Sequence, residues 1–224
     1  MAAVGGTGAE PELVDGRRLR VVASSYLKSG PNDAALGAPA GPEVAFLGRS
    51  NVGKSSLLNT LLGTRLARVS NTPGRTRLVN LFSVEVGRVS RNSGDVGEKR
   101  RVVLADLPGY GYAKLSKAEA AKLEEVISAY LSERRAVALV VQLFDARHGA
   151  TREDLQVHRE LQQLEAPKVH VVTKVDKLKA AERGAVPARL AKQLDVPAAS
   201  VIPFSSETRE GRDALWARLW AVAR

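Results

Sequence analysis

Residues 48–55 read Gly-Arg-Ser-Asn-Val-Gly-Lys-Ser, a complete G-x-x-x-x-G-K-[ST] phosphate loop. No other run constrains the chain as much, because its chemistry belongs to the backbone. Glycines at 48 and 53 let the chain curl, so that the N–H groups of Gly48, Arg49, Ser50, Asn51, Val52 and Gly53 can turn toward one phosphate. Lys54 supplies a catalytic point charge for the outer phosphates, the Ser55 hydroxyl suits Mg²⁺, and Ser56 continues the loop into a helix. The flanks agree. An apolar strand, Glu43-Val44-Ala45-Phe46-Leu47, enters the loop, and Leu57, Leu58, Leu61 and Leu62 recur at helical spacing beyond it. A glycine-rich turn arising by chance would lack both flanks, so the pattern predicts binding of a nucleoside triphosphate.

The base is addressed further along. Thr173-Lys174-Val175-Asp176-Lys177 follows the apolar run Val169–Val172, and a carboxylate at a strand's C-terminal end can accept from both N1–H and the 2-amino group of guanine. Adenine lacks that donor pair and would leave the carboxylate unmatched, so Asp176 reads as the guanine selector. Most small GTPases carry Asn where Thr173 stands. Between the two motifs lies Asp106-Leu107-Pro108-Gly109, after the apolar run Val102–Ala105. Asp106 suits a water-mediated Mg²⁺ contact, and the Gly109 N–H can sense a γ-phosphate. A lone D-x-x-G is weak; in this order it is strong.

Two positions raise a question about catalysis. Tyr110 stands where many GTPases place the glutamine that orients water, so either another group is recruited or the intrinsic rate is low. Asn51 either lends its side-chain oxygen to a K⁺ ion beside the phosphates or simply tolerates the loop's unusual backbone angles.

Together, GRSNVGKSS (48–56), NTPGRTR (71–77), DLPGYGY (106–112), TKVDK (173–177) and Phe204-Ser205-Ser206 resemble the EngB (YihA/YsxC) family of bacterial GTPases, as does Asp145-Ala146-Arg147-His148-Gly149 with Asp154. The resemblance runs from about residue 18 to about residue 222. It implies an α/β, three-layer P-loop GTPase domain of the translation-factor-related class, with a mostly parallel sheet and helices on both faces. It also implies GTP hydrolysis to GDP as a switch in assembly of the large ribosomal subunit, with effects on cell division and septation. On the same ground Gly74, Arg75, Thr76, Arg77 and Leu78 form a switch segment in which Thr76 reaches Mg²⁺ in the GTP state. Phe204, Ser205 and Ser206 approach the guanine O6. Thr173 in place of Asn fits this family.

Length and charge set bounds. At 224 residues one domain is expected over 18–224, with residues 1–17, rich in Gly, Ala and Pro, as a disordered tail. The chain has no cysteine, its first fifteen residues have no apolar core, and its most apolar run, Ala136–Phe144, is too short to cross a bilayer. A soluble cytoplasmic monomer without a membrane partner is the expectation. The net charge is +10, and residues 65–117 hold eleven Lys or Arg against four Asp or Glu. That excess suggests contact with ribosomal RNA or a large-subunit precursor around the nucleotide edge, through phosphates rather than base stacking.

Alternating strands and helices complete the reading. Strands are expected at Leu19–Ser24 and Leu78–Val86, a loop at Gly30–Pro42 and an exposed hairpin excursion at Gly87–Lys99. Capping boxes at Ser116–Glu119 and Thr151–Asp154 open two helices, the second ending near Leu164. Trp216 and Trp220 on the last helix are expected in the core. Two other functions fit less well: an interaction module of the division machinery that holds GTP structurally, and a P-loop kinase, which would need an arginine-bearing lid and has no use for a guanine selector.

Overall fold

Apolar runs buried on both faces require a sheet covered on both sides, and this is what the chain builds. The computed structural model describes residues 12–14, 17–67, 78–90, 93–111 and 115–224. Among these the strands are β1 (Glu12–Val14), β2 (Arg17–Gly30), β3 (Glu43–Gly48), β4 (Val79–Val89), β5 (Val96–Asp106), β6 (Val137–Asp145), β7 (Lys168–Thr173) and β8 (Val201–Pro203). The helices are α1 (Asp33–Leu36), α2 (Lys54–Leu62), α3 (Lys117–Glu133), α4 (Arg152–Leu161), α5 (Ala180–Arg183), α6 (Val186–Leu194) and α7 (Arg212–Val222). The strands form one sheet in the order β1-β2-β4-β5-β3-β6-β7-β8. The five from β5 to β8 run parallel, and β1, β2 and β4 extend the sheet antiparallel.

The period of two along each strand sorts the core into layers. Val44 and Phe46 of β3, with Val102 and Leu104 of β5, pack beneath α2 and α7, where Trp216 and Trp220 are buried. Ala45, Leu47, Val103 and Ala105 face the opposite way, toward Ile127 and Tyr130 of α3 and Leu161 of α4. A smaller cluster joins Phe144 and Val172 to Leu190 and Leu194 of α6. Both capping boxes form, with Ser116 and Thr151 as N-caps.

The edges differ from the sequence expectation. β2 runs well beyond Leu19–Ser24, because β4 offers it antiparallel partners as far as Gly30↔Val79. The Gly30–Pro42 loop contains α1, capped by the Asn32 side chain. The hairpin excursion is short: β4 continues to Val89 and β5 begins at Val96, since Val86 and Val89 still find buried sites. α4 stops at Leu161. Glu12–Val14, inside the expected tail, pairs with Arg17–Leu19. Behind the sheet's N-terminal end, buried Arg134 donates to both carboxylate oxygens of buried Glu43 at 2.7 and 2.6 Å, and the Tyr130 hydroxyl donates to the same carboxylate at 2.5 Å. Each group is buried with its partner, which fixes the end of α3 against the start of β3.

Candidate functional site

The C-terminal ends of β3, β5, β7 and β8 meet at one edge, where a ligand site on a parallel sheet is expected. β3 runs directly into the phosphate loop, and α2 leaves it. Gly53, at φ 104°, occupies a backbone region that side-chain-bearing residues avoid. A Cβ on Gly48 would come within 2.9 Å of Val52 and 3.0 Å of Leu143, so the loop's entry also admits only glycine. α2 has no side-chain cap and no acidic residue in its first turn. Its first backbone bond joins the Leu57 N–H to the Gly53 carbonyl, which leaves the N–H groups ahead of it directed at the site. A helix start built this way suits an anion. Asn51 sits at φ 61°, in the left-handed region that asparagine tolerates.

Lys54 and Asp106 are both buried and form a direct ion pair across the site. Each neutralises a charge that burial would otherwise penalise. Asp106 ends β5, and the following Leu107 N–H bonds the Phe46 carbonyl at 3.1 Å, setting Leu107, Pro108 and Gly109 against the loop's root. The Ser55 hydroxyl and the Asp106 carboxylate supply hard oxygens, the donor type Mg²⁺ prefers. No cluster of three or more His, Cys, Asp or Glu side chains among the described residues offers an alternative metal cage. The residues present therefore fit Mg²⁺ shared with phosphates.

Side chains bolt the T-K-x-D segment to the phosphate loop. Thr173 Oγ1 donates to the Val52 carbonyl at 2.5 Å and lies 3.0 Å from the Phe144 carbonyl. A hydroxyl thus makes the strand-to-loop link at the position where other GTPases carry Asn. Lys174 Nζ donates to the Asn51 carbonyl at 2.5 Å and to Asp145 Oδ2 at 2.8 Å. Burial acts to raise the Asp145 pKa, but the bonds from Arg147 and Lys174 outweigh it and hold the carboxyl well below its usual range. Asp145 ends β6, so it completes the row of strand-end residues. Its place at the end of an apolar run is the sequence signal for that role.

Val175 is buried and packs this segment against β8. Asp176 lies in a 3-10 turn over Val175–Lys177. The Ser205 hydroxyl donates to Asp176 Oδ1 at 2.7 Å and accepts from the Glu207 and Thr208 N–H groups at 3.2 and 3.1 Å. Lys177 approaches Asp176 Oδ2 at 3.1 Å. Partial burial raises the Asp176 pKa, yet the Ser205 and Lys177 bonds prevail and lower it. The carboxylate is therefore held in one orientation by partners that favour its charged form. Phe204 and Ser205 are fully buried, whereas Ser206 is partly exposed.

Tyr110 does not face the phosphates. Its hydroxyl donates to Asp154 Oδ1 of α4 at 2.8 Å, and the ring is buried. Its backbone bonds Gly48 and Ser50 at 3.2 and 2.8 Å. Burial first, then the nearby Asp154 charge, raises the phenol pKa well above its ordinary value. Gly74, Arg75, Thr76 and Arg77 lie outside the described residues, and Leu78 is exposed immediately before β4.

A phosphate-loop sequence between a strand and a helix, a strand-end aspartate paired with its lysine, and a T-K-x-D segment at the end of a neighbouring strand are the arrangement of a P-loop GTPase domain. The family described as "50S ribosome-binding GTPase" matches residues 43–174. A probable GTP-binding protein EngB of Myxococcus xanthus is 45% identical over 178 residues, covering 79% of this chain and 83% of its own. The one from Anaeromyxobacter dehalogenans is 39% identical over 206 residues, covering 92% and 93%. A crystal structure of a probable GTP-binding protein engB superposes with a TM-score of 0.60 at 24% identity, over 80% of this chain and 97% of that one. Era bound to MgGDPNP and nucleotides 1506–1542 of 16S ribosomal RNA gives 0.62 at 25% identity, over 82% and 57%. The chain belongs to the EngB family of GTP-binding proteins.

Proposed function

We propose that this protein is a GTP-hydrolysing switch that acts on a large ribosomal subunit precursor in the cytoplasm, as a monomer, and that its influence on cell division and septation follows from that role. One observation carries the nucleotide half of this reading: the Ser205–Asp176 pair is tied to the phosphate loop through Thr173 and Lys174, so base selection and phosphate binding form one rigid unit. The ribosomal half is supported by the description of the matching family and by the RNA bound to the related Era. Among the described residues no helix is long and apolar enough to cross a membrane.

The residues then divide the work. Asn51, Gly53 and Ser56 present backbone N–H groups to the phosphates, while the Ser50 and Val52 N–H groups brace the loop by bonding the Tyr110 and Arg49 carbonyls at 2.8 and 3.1 Å. Lys54 exchanges Asp106 for the outer phosphates when nucleotide arrives, which frees Asp106. Ser55, Asp106 and Thr76 hold Mg²⁺, which when bound neutralises charge on the β- and γ-phosphates. Thr76, within Gly74–Leu78, and Gly109, after Leu107 and Pro108, respond to the γ-phosphate. Thr173, Lys174, Val175, Asp176, Phe204, Ser205 and Ser206 hold the guanine.

The Tyr110 hydroxyl is committed to Asp154, so no amide orients the attacking water from that position and the intrinsic rate is low. Extra positive charge must come from elsewhere, and K⁺ held partly by Asn51 is one source. Sedimentation with large ribosomal subunits tests the function. Co-sedimentation with a non-hydrolysable GTP analogue, lost with GDP, is expected. A chain that never sediments with the subunit in either state would instead be a module using GTP only as a structural ligand.

A further inference from the structure

The basic excess between residues 65 and 117 does not all gather at the nucleotide edge. Arg88, Lys99, Arg100 and Arg101 lie on β4 and β5 toward their shared hairpin, far from Asp106. Two adjoining cavities, each of about 700 Å³, open there and share Arg100 in their walls. Seven cationic side chains line the pair against a single lining carboxylate, Glu85. One cavity includes Pro42, and Gly48 begins the phosphate loop at the other end of β3, so the six residue steps from one to the other put the two sites about 20 Å apart.

The basic wall is rigid. The guanidinium groups of Arg88 and Arg100 stack on the Trp220 ring at 4.9 and 4.7 Å from its centroid, and Glu98 bonds both at 3.1 and 2.7 Å. Below Val103 the edge of β5 has no β3 partner, and Arg224 occupies it through paired backbone bonds to Arg101 at 2.6 and 3.1 Å. That pairing brings Arg224 beside Arg135, which follows the buried Arg134 anchor. Arg135, Arg218 and Arg224 are exposed and form no ion pair among the described residues. Trp220, the one aromatic in either lining, is buried under its two arginines, so no ring is available to stack a base. Four of the seven cations are ion-paired, Arg88 and Arg100 with Glu98 and Lys99 and Arg101 with Glu85, which leaves Arg135, Arg218 and Arg224 as the uncompensated charges; exposed cations without a stacking platform match the phosphates of a folded nucleic acid backbone.

We propose that this pole, at the N-terminal ends of β3 and β6, is a second contact surface that binds the sugar-phosphate backbone of structured RNA. The proposal rests on the ribosomal reading for the source of that RNA. Its distance from the nucleotide makes the contact insensitive to GTP or GDP, so the switch segments add a state-dependent contact to a standing electrostatic one.

The combined variant Arg135→Ala, Arg218→Ala, Arg224→Ala tests it. Binding to a short labelled RNA duplex and to large ribosomal subunits is measured across a salt series, with GTP-analogue affinity as the check on folding. The expected result is unchanged nucleotide affinity, at least tenfold weaker RNA binding at physiological salt, and a log–log salt slope shallower by about 3. Replacing the same three residues by lysine should restore binding. Neutralising three exposed cations elsewhere, Lys122, Arg159 and Lys192, should cost far less. An unchanged slope, equal losses from both triple neutralisations, or displacement of the protein from subunits by polyglutamate as readily as by RNA would overturn the proposal. If the wild type binds the duplex through these residues but not the subunit, the surface stands and the ribosomal reading falls.

Discussion

Tyr110→Phe isolates one bond that the architecture depends on. The substitution keeps the buried ring and removes only the hydroxyl that reaches Asp154 Oδ1 at 2.8 Å. Asp154 is 2% exposed, and its other oxygen, Oδ2, is already taken by the Thr151 N–H and hydroxyl at 3.0 and 2.8 Å. Oδ1 would be left buried without a donor. Losing a hydrogen bond to a charged, buried acceptor costs about 2 kcal/mol. For a chain of this size that is a fall in melting temperature of roughly 4–8 °C. Tyr110→Gln would supply the amide found in many GTPases, but it also removes the ring from its cluster with Leu107 and Leu161. It should destabilise at least twice as much and raise the GTP hydrolysis rate not at all, because position 110 faces α4. Thermal unfolding of the two variants, with single-turnover hydrolysis, reads both quantities. A Tyr110→Phe protein as stable as the wild type, or a Tyr110→Gln protein that hydrolyses GTP tenfold faster, would refute this reasoning.

Three further outcomes are expected. Thr76→Ala should leave GDP affinity within about twofold while abolishing the GTP-analogue-dependent binding to large subunits; equal loss of both nucleotides by fluorescence titration would remove Thr76 from the switch. Asn51→Ala should erase a preference for KCl over NaCl in multiple-turnover hydrolysis at equal ionic strength, and a wild type with no such preference would exclude K⁺. Burial, with a smaller contribution from His158 at a ring separation of 5.1 Å, depresses the His170 pKa to about 4. Unfolded His170 takes up a proton near pH 6.5 and the folded form does not, so its contribution is present above pH 6.5 and lost as pH falls toward 4. Urea unfolding should show a loss of up to about 3 kcal/mol over that window, and His170→Leu should flatten it.

The sequence reveals the site's parts more readily than their attachments. Gly48–Ser55, Asp106–Gly109 and Thr173–Asp176 are legible because each performs its task within a few consecutive residues. β3, β5, β6 and β7 are legible because strands buried on both faces read as unbroken apolar runs. The Tyr110–Asp154 bond joins residues 44 apart, and Lys174–Asp145 joins residues 29 apart, so no local pattern announces either. β2 reads short because its length is set by β4, whose paired residues lie 49 to 71 positions later in the chain. The charge window 65–117 suggests one basic surface, whereas an antiparallel hairpin carries part of it to the opposite pole of the sheet. Thr76 rests on the family resemblance and lies outside the described residues.

The central claim is that Asp176, held by Ser205 and tied to the phosphate loop, selects guanine. Competition titrations of wild type and Asp176→Asn with GTP, ATP and xanthosine triphosphate test it most directly. The wild type should prefer GTP over both others. In Asp176→Asn, GTP affinity should fall by about a hundredfold or more, because an amide offers guanine's two donors one acceptor and one opposing donor, while xanthosine triphosphate, whose 2-oxo group accepts a hydrogen bond, should become the tighter ligand. A variant that keeps wild-type GTP affinity, or that loses all three nucleotides alike, would contradict the account.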